Sequence, residues 1–228
     1  MNNSAETVVG IAEKLLRENA MVCKWKTLQS TLLVMYCNWI RTWNLSNNFF
    51  HYDNSKKMER LNTRWSTPPP SWLKLNFDGV AHSGVAKGGG IIRDSLGNLI
   101  LAYARNFDSV SSNMVEALAL FWVFKLALDI NTKRLIIEGD SKLIIEAAKG
   151  VAGISWTISN IIKDIWSMII WLEEFQIQHI YREGNSVADS LVATGLELTG
   201  MRCWRHLDSL SDRQKSLIGR GRNFSTCQ

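Results

Sequence analysis

The sequence predicts an α/β domain with a mixed sheet of five strands. Two tight turns separate three short apolar runs after Pro68-Pro69-Pro70, and this pattern predicts an antiparallel meander. The later strands alternate with helical stretches, which is typical of parallel strands joined by helical crossovers. The chain has no GxxxxGK phosphate loop and no GxGxxG after a strand, so the nucleotide-binding α/β folds lose their main support.

The predicted elements follow the order βββαβααβα. The first strand alternates, with Leu73, Leu75 and Phe77 on one face and Lys74, Asn76 and Asp78 on the other. Glycines between residues 84 and 90 predict a bend after it. The predicted strands are Leu73–Val80, Gly90–Asp94, Leu99–Phe107, Arg134–Gly139 and Phe175–Arg182, and the predicted helices are Asn113–Asp129, Ser141–Lys149, Trp156–Leu172 and Ser186–Leu196.

A chain of 228 residues has room for one ordinary domain with flanks. We expect a helical extension and linker over residues 1–67, the α/β domain over 68–198, and a basic tail over 199–228. The prolines mark the first boundary, because they enter neither a helix nor a central strand. The extension is rich in tryptophan, so residues 1–65 are expected to pack on the domain or to recruit a protein partner.

The charge is unevenly distributed. Residues 73–198 hold 11 Lys/Arg and 14 Asp/Glu, whereas the whole chain has a net charge of +5, so the flanks carry +8. Basic flanks could attract a polyanion. An ordinary solvated surface explains the same charge at least as well.

The compartment is constrained only in part. The four cysteines form no CxxC pair and no zinc spacing, which suits a reducing environment. The N-terminus lacks the features of a secretory signal, and no apolar run is long enough to span a membrane. We expect an intracellular monomer without a membrane partner, in either the nucleus or the cytoplasm.

Four acids lie where strands end or helices begin, and each has an ordinary structural explanation. Asp78 precedes a glycine and could open a turn. Glu116 follows Asn113 at capping-box spacing, although it also shares a helical face with the apolar residues that should dock on the sheet. Asp140 ends a strand, and Asp189 lies in the first turn of the last helix. Taken together, two acids end central strands and two lie on helical turns that can face them.

Five segments in this order resemble a known family. They are LKLNFDG, GGGIIRDSLGNLI, VEALAL, LIIEGDS and HIYREGNSVADSL, preceded by TPPPSW. Residues 73–198 resemble the type 1 ribonuclease H domain, in the plant variety found in reverse-transcriptase-like and retrotransposon-derived proteins. The resemblance covers a little over half of the chain and implies a ribonuclease H-like fold.

The resemblance also implies an activity. It makes Asp78, Glu116, Asp140 and Asp189 the four catalytic, metal-binding carboxylates, which would hold two Mg²⁺ ions, with Mn²⁺ as a possible replacement. The implied enzyme is a ribonuclease H that cleaves the RNA strand of an RNA–DNA hybrid endonucleolytically. Reading the 2′-hydroxyl groups would fall to polar residues near the first strand and the first helix. The candidates are Asn76, Ser83, Ser112 and Asn113.

Two departures from the family keep other functions open. Many members carry a histidine in a flexible loop before the last aspartate, whereas here the link is compressed to residues 182–186, and His179 falls within a predicted strand. No basic, tryptophan-rich protrusion follows the longer helix, so the domain alone should bind a hybrid weakly and with strong salt dependence. The alternatives are a nucleic-acid-binding module with negligible turnover, and a scaffold that recruits a partner through its N-terminal helices.

Overall fold

The computed structural model describes residues 64–151, 154–194 and 200–220, and it confirms a mixed sheet flanked by helices. The predicted N-terminal helices lie outside these residues. The strands are β1 Leu73–His82, β2 Val85–Arg93, β3 Leu99–Asn106, β4 Arg134–Gly139, β5 Glu174–His179 and β6 Met201–Trp204. The helices are α1 Ser112–Asp129, α2 Lys142–Ala148, α3 Trp156–Ile169, α4 Ser186–Thr194 and α5 Asp212–Arg220, with a short 3-10 helix at Leu207–Ser209.

The described sheet has six strands in the order β5-β4-β1-β2-β3-β6, one more than predicted. β1 to β3 form the expected antiparallel meander, and β1, β4 and β5 pair in parallel. The extra strand, β6, pairs antiparallel with β3. Because β1 lies between β2 and β4, its residues sit at the centre of the sheet.

The glycine-rich bend predicted after β1 does form at Gly84, but it is much shorter than predicted. β1 continues through Asp78 and Gly79 to His82, and the turn falls instead on Ser83 and Gly84, whose φ angles are 50° and 77°. The glycines before residue 91 belong to β2. A Cβ on Gly90 would lie 2.8 Å from the Val123 Cβ of α1, and one on Gly89 would lie 3.0 Å from the Leu191 Cβ of α4. These glycines therefore let helices approach both faces of the sheet.

Helix α1 docks on the sheet through the face that the sequence predicted. Ala119, Leu120, Val123 and Ala127 are all fully buried. The predicted capping box is wrong, because Asn113 lies inside the helix and the Ser111 hydroxyl accepts the cap hydrogen bond from the Met114 N–H. Glu116 is therefore free of a capping role.

Residues of the predicted basic tail complete a second core on the other face of the sheet. Val187 and Leu191 of α4 pack there with Trp204 of β6, Leu210, and Ile218 of α5. The buried Gln214 side chain of α5 also donates to the Ser190 carbonyl oxygen and the Thr194 hydroxyl of α4. The sequence prediction missed these elements because the segment is rich in basic residues and its few apolar residues are too widely spaced to show a periodic pattern.

A buried polar network lies beside the centre of β1. The Lys74 ammonium pairs with Glu138 of β4 at 2.9 Å, and the Asn76 amide donates to the same carboxylate at 3.0 Å. Arg93 of β2 donates to the Asn76 side-chain oxygen at 2.7 Å, and its guanidinium carbon lies 3.5 Å from the centre of the Trp65 ring. Trp65 precedes the predicted domain boundary, yet it covers charges inside the domain.

No helix in the described residues combines the length and apolarity needed to cross a membrane.

Trp65→Ala in the full chain should lower the free energy of unfolding by about 2 kcal/mol. The substitution removes a cation–π contact and leaves the buried Arg93 guanidinium with less compensation. Denaturant unfolding would measure the change. Trp156→Ala is the matched control, since that side chain is 86% exposed and should change stability by less than about 0.5 kcal/mol. Equal effects of the two substitutions would contradict a structural role for Trp65.

Candidate metal centre

Three of the four predicted acids converge at the end of the sheet. Asp78 of β1, Glu116 of α1 and Asp140 after β4 each contribute one carboxylate oxygen, and these oxygens all lie within 4.8 Å of one another. Parallel pairing of β1 with β4 brings Asp78 and Asp140 together, since Phe77 is aligned with Gly139. Helix α1 brings Glu116 from a distant part of the sequence.

Gly79 allows Glu116 to reach this cluster. A Cβ on Gly79 would lie 2.8 Å from the backbone nitrogen of Glu116 and 2.8 Å from the Val115 carbonyl carbon. Such distances are too short for any side chain, so only glycine lets α1 pack this closely on β1. The Gly79 N–H also lowers the pKa of both Asp78 and Glu116, against the larger effect of burial. The Asp-Gly pair thus permits helix approach and favours the ionised carboxylates, and it makes no turn.

Burial and mutual repulsion disfavour the ionised forms of these acids. Burial raises the pKa of Glu116 from 4.5 to about 9, with smaller contributions from the charges of Asp78 and Asp140. Burial likewise raises the pKa of Asp78 from 3.8 to about 7, followed by the charges of Asp140 and Asp189. Several carboxylates held this close need a compensating positive charge to remain ionised together.

The donor set fits a divalent cation with oxygen ligands. The Glu116 Oε2 atom is buried and has no hydrogen-bond partner in the described residues. A buried carboxylate oxygen without a partner is costly unless a cation satisfies it. Hard ions such as Mg²⁺ prefer carboxylate oxygens, and the cluster contains no sulfur or imidazole ligand. Asp78, Glu116 and Asp140 are therefore the residues that could hold a metal.

Asp189 lies next to the cluster but outside the group of three. Its charge contributes to the raised pKa of Asp78, so it acts on the centre from nearby. Its carboxylate accepts a hydrogen bond from Arg182 at 3.1 Å, and the two side chains are 37% and 75% exposed. The fourth predicted acid is thus paired with an arginine that the sequence reasoning did not single out.

Asn185 connects three elements at the cluster and was also missed. It is buried, and its amide donates to the Phe77 carbonyl oxygen at 2.8 Å and to Asp140 Oδ1 at 3.1 Å. It also lies directly before α4, so it ties the start of that helix to β1 and Asp140. An asparagine just before a helix reads as an ordinary cap, and its cross-sheet contacts depend on residues distant in sequence.

His179 falls within β5, as predicted. Its Nε2 atom lies 3.1 Å from the Asp140 carbonyl oxygen, and its ring meets the Tyr181 ring edge to face at 5.3 Å. These contacts support the structural role that the sequence suggested, because the ring packs beside the Asp140 backbone.

The predicted nucleic-acid-binding residues separate into two groups. Asn76 is fully buried, and its amide is engaged by Glu138 and Arg93, so the prediction that it contacts a substrate was wrong. A polar residue on the same strand face as Asp78 resembled a surface group, and only the folded sheet shows that it is covered. Ser83, Ser112 and Asn113 are exposed, at the β1–β2 turn and in the first turn of α1.

A family described as reverse transcriptase-like matches residues 76–195, which include all four acids. A protein of Arabidopsis thaliana, provisionally named a ribonuclease H protein, is 27% identical over 166 residues, which are 71% of this chain and 26% of that protein. The chain therefore spans about a quarter of the length of this curated relative.

Solved ribonuclease H structures share the fold. RNase H1 of the archaeon Halobacterium salinarum superposes with a TM-score of 0.53 at 19% identity, covering 55% of this chain and 98% of that one. LC11-RNase H1, solved in complex with an RNA/DNA hybrid, superposes with a TM-score of 0.51 at 22% identity, covering 55% and 96%. The region from β1 to α4 is thus a ribonuclease H-like fold.

Glu116→Gln should stabilise the metal-free protein at neutral pH by about 1 kcal/mol or more. Because folding raises the pKa of Glu116, protonation of this side chain stabilises the folded state. This stabilisation is complete below the unfolded pKa and is lost as pH rises towards about 9. Glutamine is neutral at every pH, so the variant does not lose stability in this way. Thermal unfolding in EDTA should show a difference that disappears below about pH 4. The exposed Glu173→Gln control should show no such pH dependence, and a destabilised Glu116→Gln at neutral pH would contradict the prediction.

Gly79→Ala should destabilise the protein by about 1–3 kcal/mol and weaken Mg²⁺ binding, because α1 must move away from β1 and carry Glu116 with it. Thermal unfolding with increasing Mg²⁺ measures both effects. Gly219→Ala in α5 is the control, since an added Cβ there meets no atom within 4 Å. A Gly79→Ala variant with unchanged stability would show that the close contact with α1 is dispensable.

Proposed function

Because the chain belongs to the reverse transcriptase-like family, we propose that it is a divalent-metal-dependent nuclease that hydrolyses the RNA strand of RNA–DNA hybrids. The observation that carries the proposal is the convergence of Asp78, Glu116 and Asp140 within 4.8 Å, with one buried carboxylate oxygen lacking a partner. The fold itself does not require three carboxylates to lie this close together, whereas binding a metal ion does.

The protein's own groups would bind and orient the metal. Asp78, Glu116 and Asp140 would hold Mg²⁺, whose charge would offset their mutual repulsion and their repulsion of a phosphodiester. The bound ion would supply Lewis-acid chemistry that lowers the pKa of an attacking water and stabilises the leaving oxygen. Asn185 holds the Asp140 carboxylate and would keep it oriented between turnovers. The Gly79 N–H favours the ionised forms of Asp78 and Glu116.

Two lines of reasoning support a hybrid substrate. LC11-RNase H1, which was solved in complex with an RNA/DNA hybrid, has the same fold. In this chain, Ser112 and Asn113 are exposed close to Glu116 in sequence, and Ser83 is exposed at the β1–β2 turn. Such small polar groups could accept or donate hydrogen bonds at ribose 2′-hydroxyls in a shallow groove. The net charge of −3 over residues 73–198 should make binding weak and dependent on ionic strength.

The decisive experiment compares the full-length protein with Asp78→Asn on a labelled hybrid in Mg²⁺. Wild type should cleave the RNA strand. The cleavage rate of the variant should be at least about a thousandfold lower, because several kcal/mol of transition-state charge stabilisation depend on the metal ligands. Glu173→Gln, a change in an exposed acid of the same domain, should retain full activity. Single-stranded RNA and double-stranded DNA of the same sequence test the substrate class.

Each other outcome points to a different function. Hybrid binding by wild type without cleavage above the Asp78→Asn level would favour a binding module and reject the enzyme. Absence of both binding and cleavage would favour a scaffold that recruits a partner through residues 1–65. Deletion of residues 1–63, which keeps Trp65 on the domain, should then abolish the partner interaction.

A further inference from the structure

Arg182 is held at the edge of the carboxylate cluster by a compact turn. The link from β5 to α4 is closed by hydrogen bonds to the Tyr181 carbonyl oxygen from Gly184 N at 2.9 Å and Asn185 N at 3.2 Å. The Arg182 side chain is 75% exposed, and its guanidinium donates to Asp189 Oδ1 at 3.1 Å. The backbone of this residue is fixed while its charged end faces solvent.

The positive charge of Arg182 acts on the carboxylates of the cluster. It opposes the rise in the pKa of Asp78, which burial and the other acids produce. In return, the charges of Asp189, Asp78 and Asp140 all favour the protonated guanidinium, with Asp189 contributing most. The nearby buried cations Lys74 and Arg93 are engaged with Glu138 and Asn76. Arg182, in contrast, is exposed and could reach a ligand at the cluster.

We propose that Arg182 has two alternating partners, Asp189 before substrate binds and a phosphate oxygen of the substrate afterwards. Before substrate binds, its guanidinium keeps Asp189 outside the group formed by Asp78, Glu116 and Asp140. When the phosphodiester reaches the metal centre, the guanidinium moves to a non-bridging phosphate oxygen, and Asp189 becomes free to join the metal ligands. This inference rests on the proposed nuclease function and deepens it by naming the residue that contacts the phosphate.

The chemistry of the pair supports such an exchange. An exposed ion pair is weak, so breaking the contact with Asp189 requires little energy. A planar guanidinium matches the geometry of phosphate oxygens, and a positive charge placed where negative charge develops stabilises a transition state. Because this exposed pair contributes little to stability, substitutions of Arg182 leave the fold intact.

The first test uses metal binding without nucleic acid, and it therefore does not depend on turnover. Arg182→Ala removes a positive charge and frees Asp189, so the Mg²⁺ concentration at the midpoint of the thermal shift should fall about fivefold or more. The gain should vanish in the Arg182→Ala/Asp189→Asn double variant, which isolates the pair. Arg134→Ala is the control, since it breaks another exposed ion pair, with Glu174, at the opposite end of β4.

The second test measures hybrid cleavage by the same full-length variants. Arg182→Ala should lower kcat about a hundredfold with little change in KM, and Arg182→Lys should lie between, because an ammonium keeps the charge and loses the planar geometry. Arg134→Ala should match wild type. Tighter metal binding together with slower turnover is a combination that a purely structural role cannot produce.

The outcomes separate this inference from the proposed function. If wild type cleaves and Arg182→Ala cleaves equally well, or if its Mg²⁺ midpoint is unchanged, the role of Arg182 is overturned while the nuclease stands. If wild type binds Mg²⁺ but cleaves no hybrid, the nuclease is rejected, and the role of Arg182 at the phosphate is rejected with it. The Mg²⁺ midpoints still decide whether Arg182 restrains Asp189.

Discussion

The close contact between Gly79 and the first turns of α1 is the constraint on which the centre depends. Without a side chain at Gly79, the helix backbone comes near enough for Glu116 to reach Asp78, and any Cβ there would lie 2.8 Å from that backbone. The same glycine N–H lowers the pKa of both carboxyl groups, against the larger effect of burial. A single residue therefore sets helix position and part of the local electrostatics.

The helices on the two faces of the sheet position different acids around this contact. On one face, α1 buries Ala119, Leu120 and Val123 and so fixes the direction from which Glu116 arrives. On the other, α4 is supported by a core that includes Trp204 and Ile218, which lie after the family-matching region ends. The start of α4 carries Asp189 and is tied to Asp140 through Asn185. The C-terminal elements thus stabilise the helix that presents the fourth acid.

The free-energy cost of burying charged and polar groups differs between parts of the domain. The Lys74–Glu138 pair and the Asn76–Arg93 hydrogen bond compensate the polar groups buried beside the centre. At the centre, Glu116 keeps an oxygen without a partner, and the pKa values of Asp78 and Glu116 are both raised. Unpartnered atoms also occur outside the cluster, since the buried Arg93 Nε and Nη1 lack hydrogen-bond partners, although the Trp65 ring covers that guanidinium. The cluster differs in that two neighbouring acids both have raised pKa values, which is typical of a functional site.

Local patterns in the sequence by themselves determined the α/β class and the strand–helix order from β1 to α4, because periodicity and strand ends can be read from neighbouring residues. They placed Asp78, Glu116, Asp140 and Asp189 at strand ends and helix starts, and the resemblance to the ribonuclease H family made these four acids candidate metal ligands. Tertiary structure alone decided that Gly79 permits helix approach, that Asn76 is buried, that Trp204 closes a second core, and that Asp189 pairs with Arg182. Each of these depends on atoms brought together from distant parts of the chain, and no local pattern encodes the distance between them.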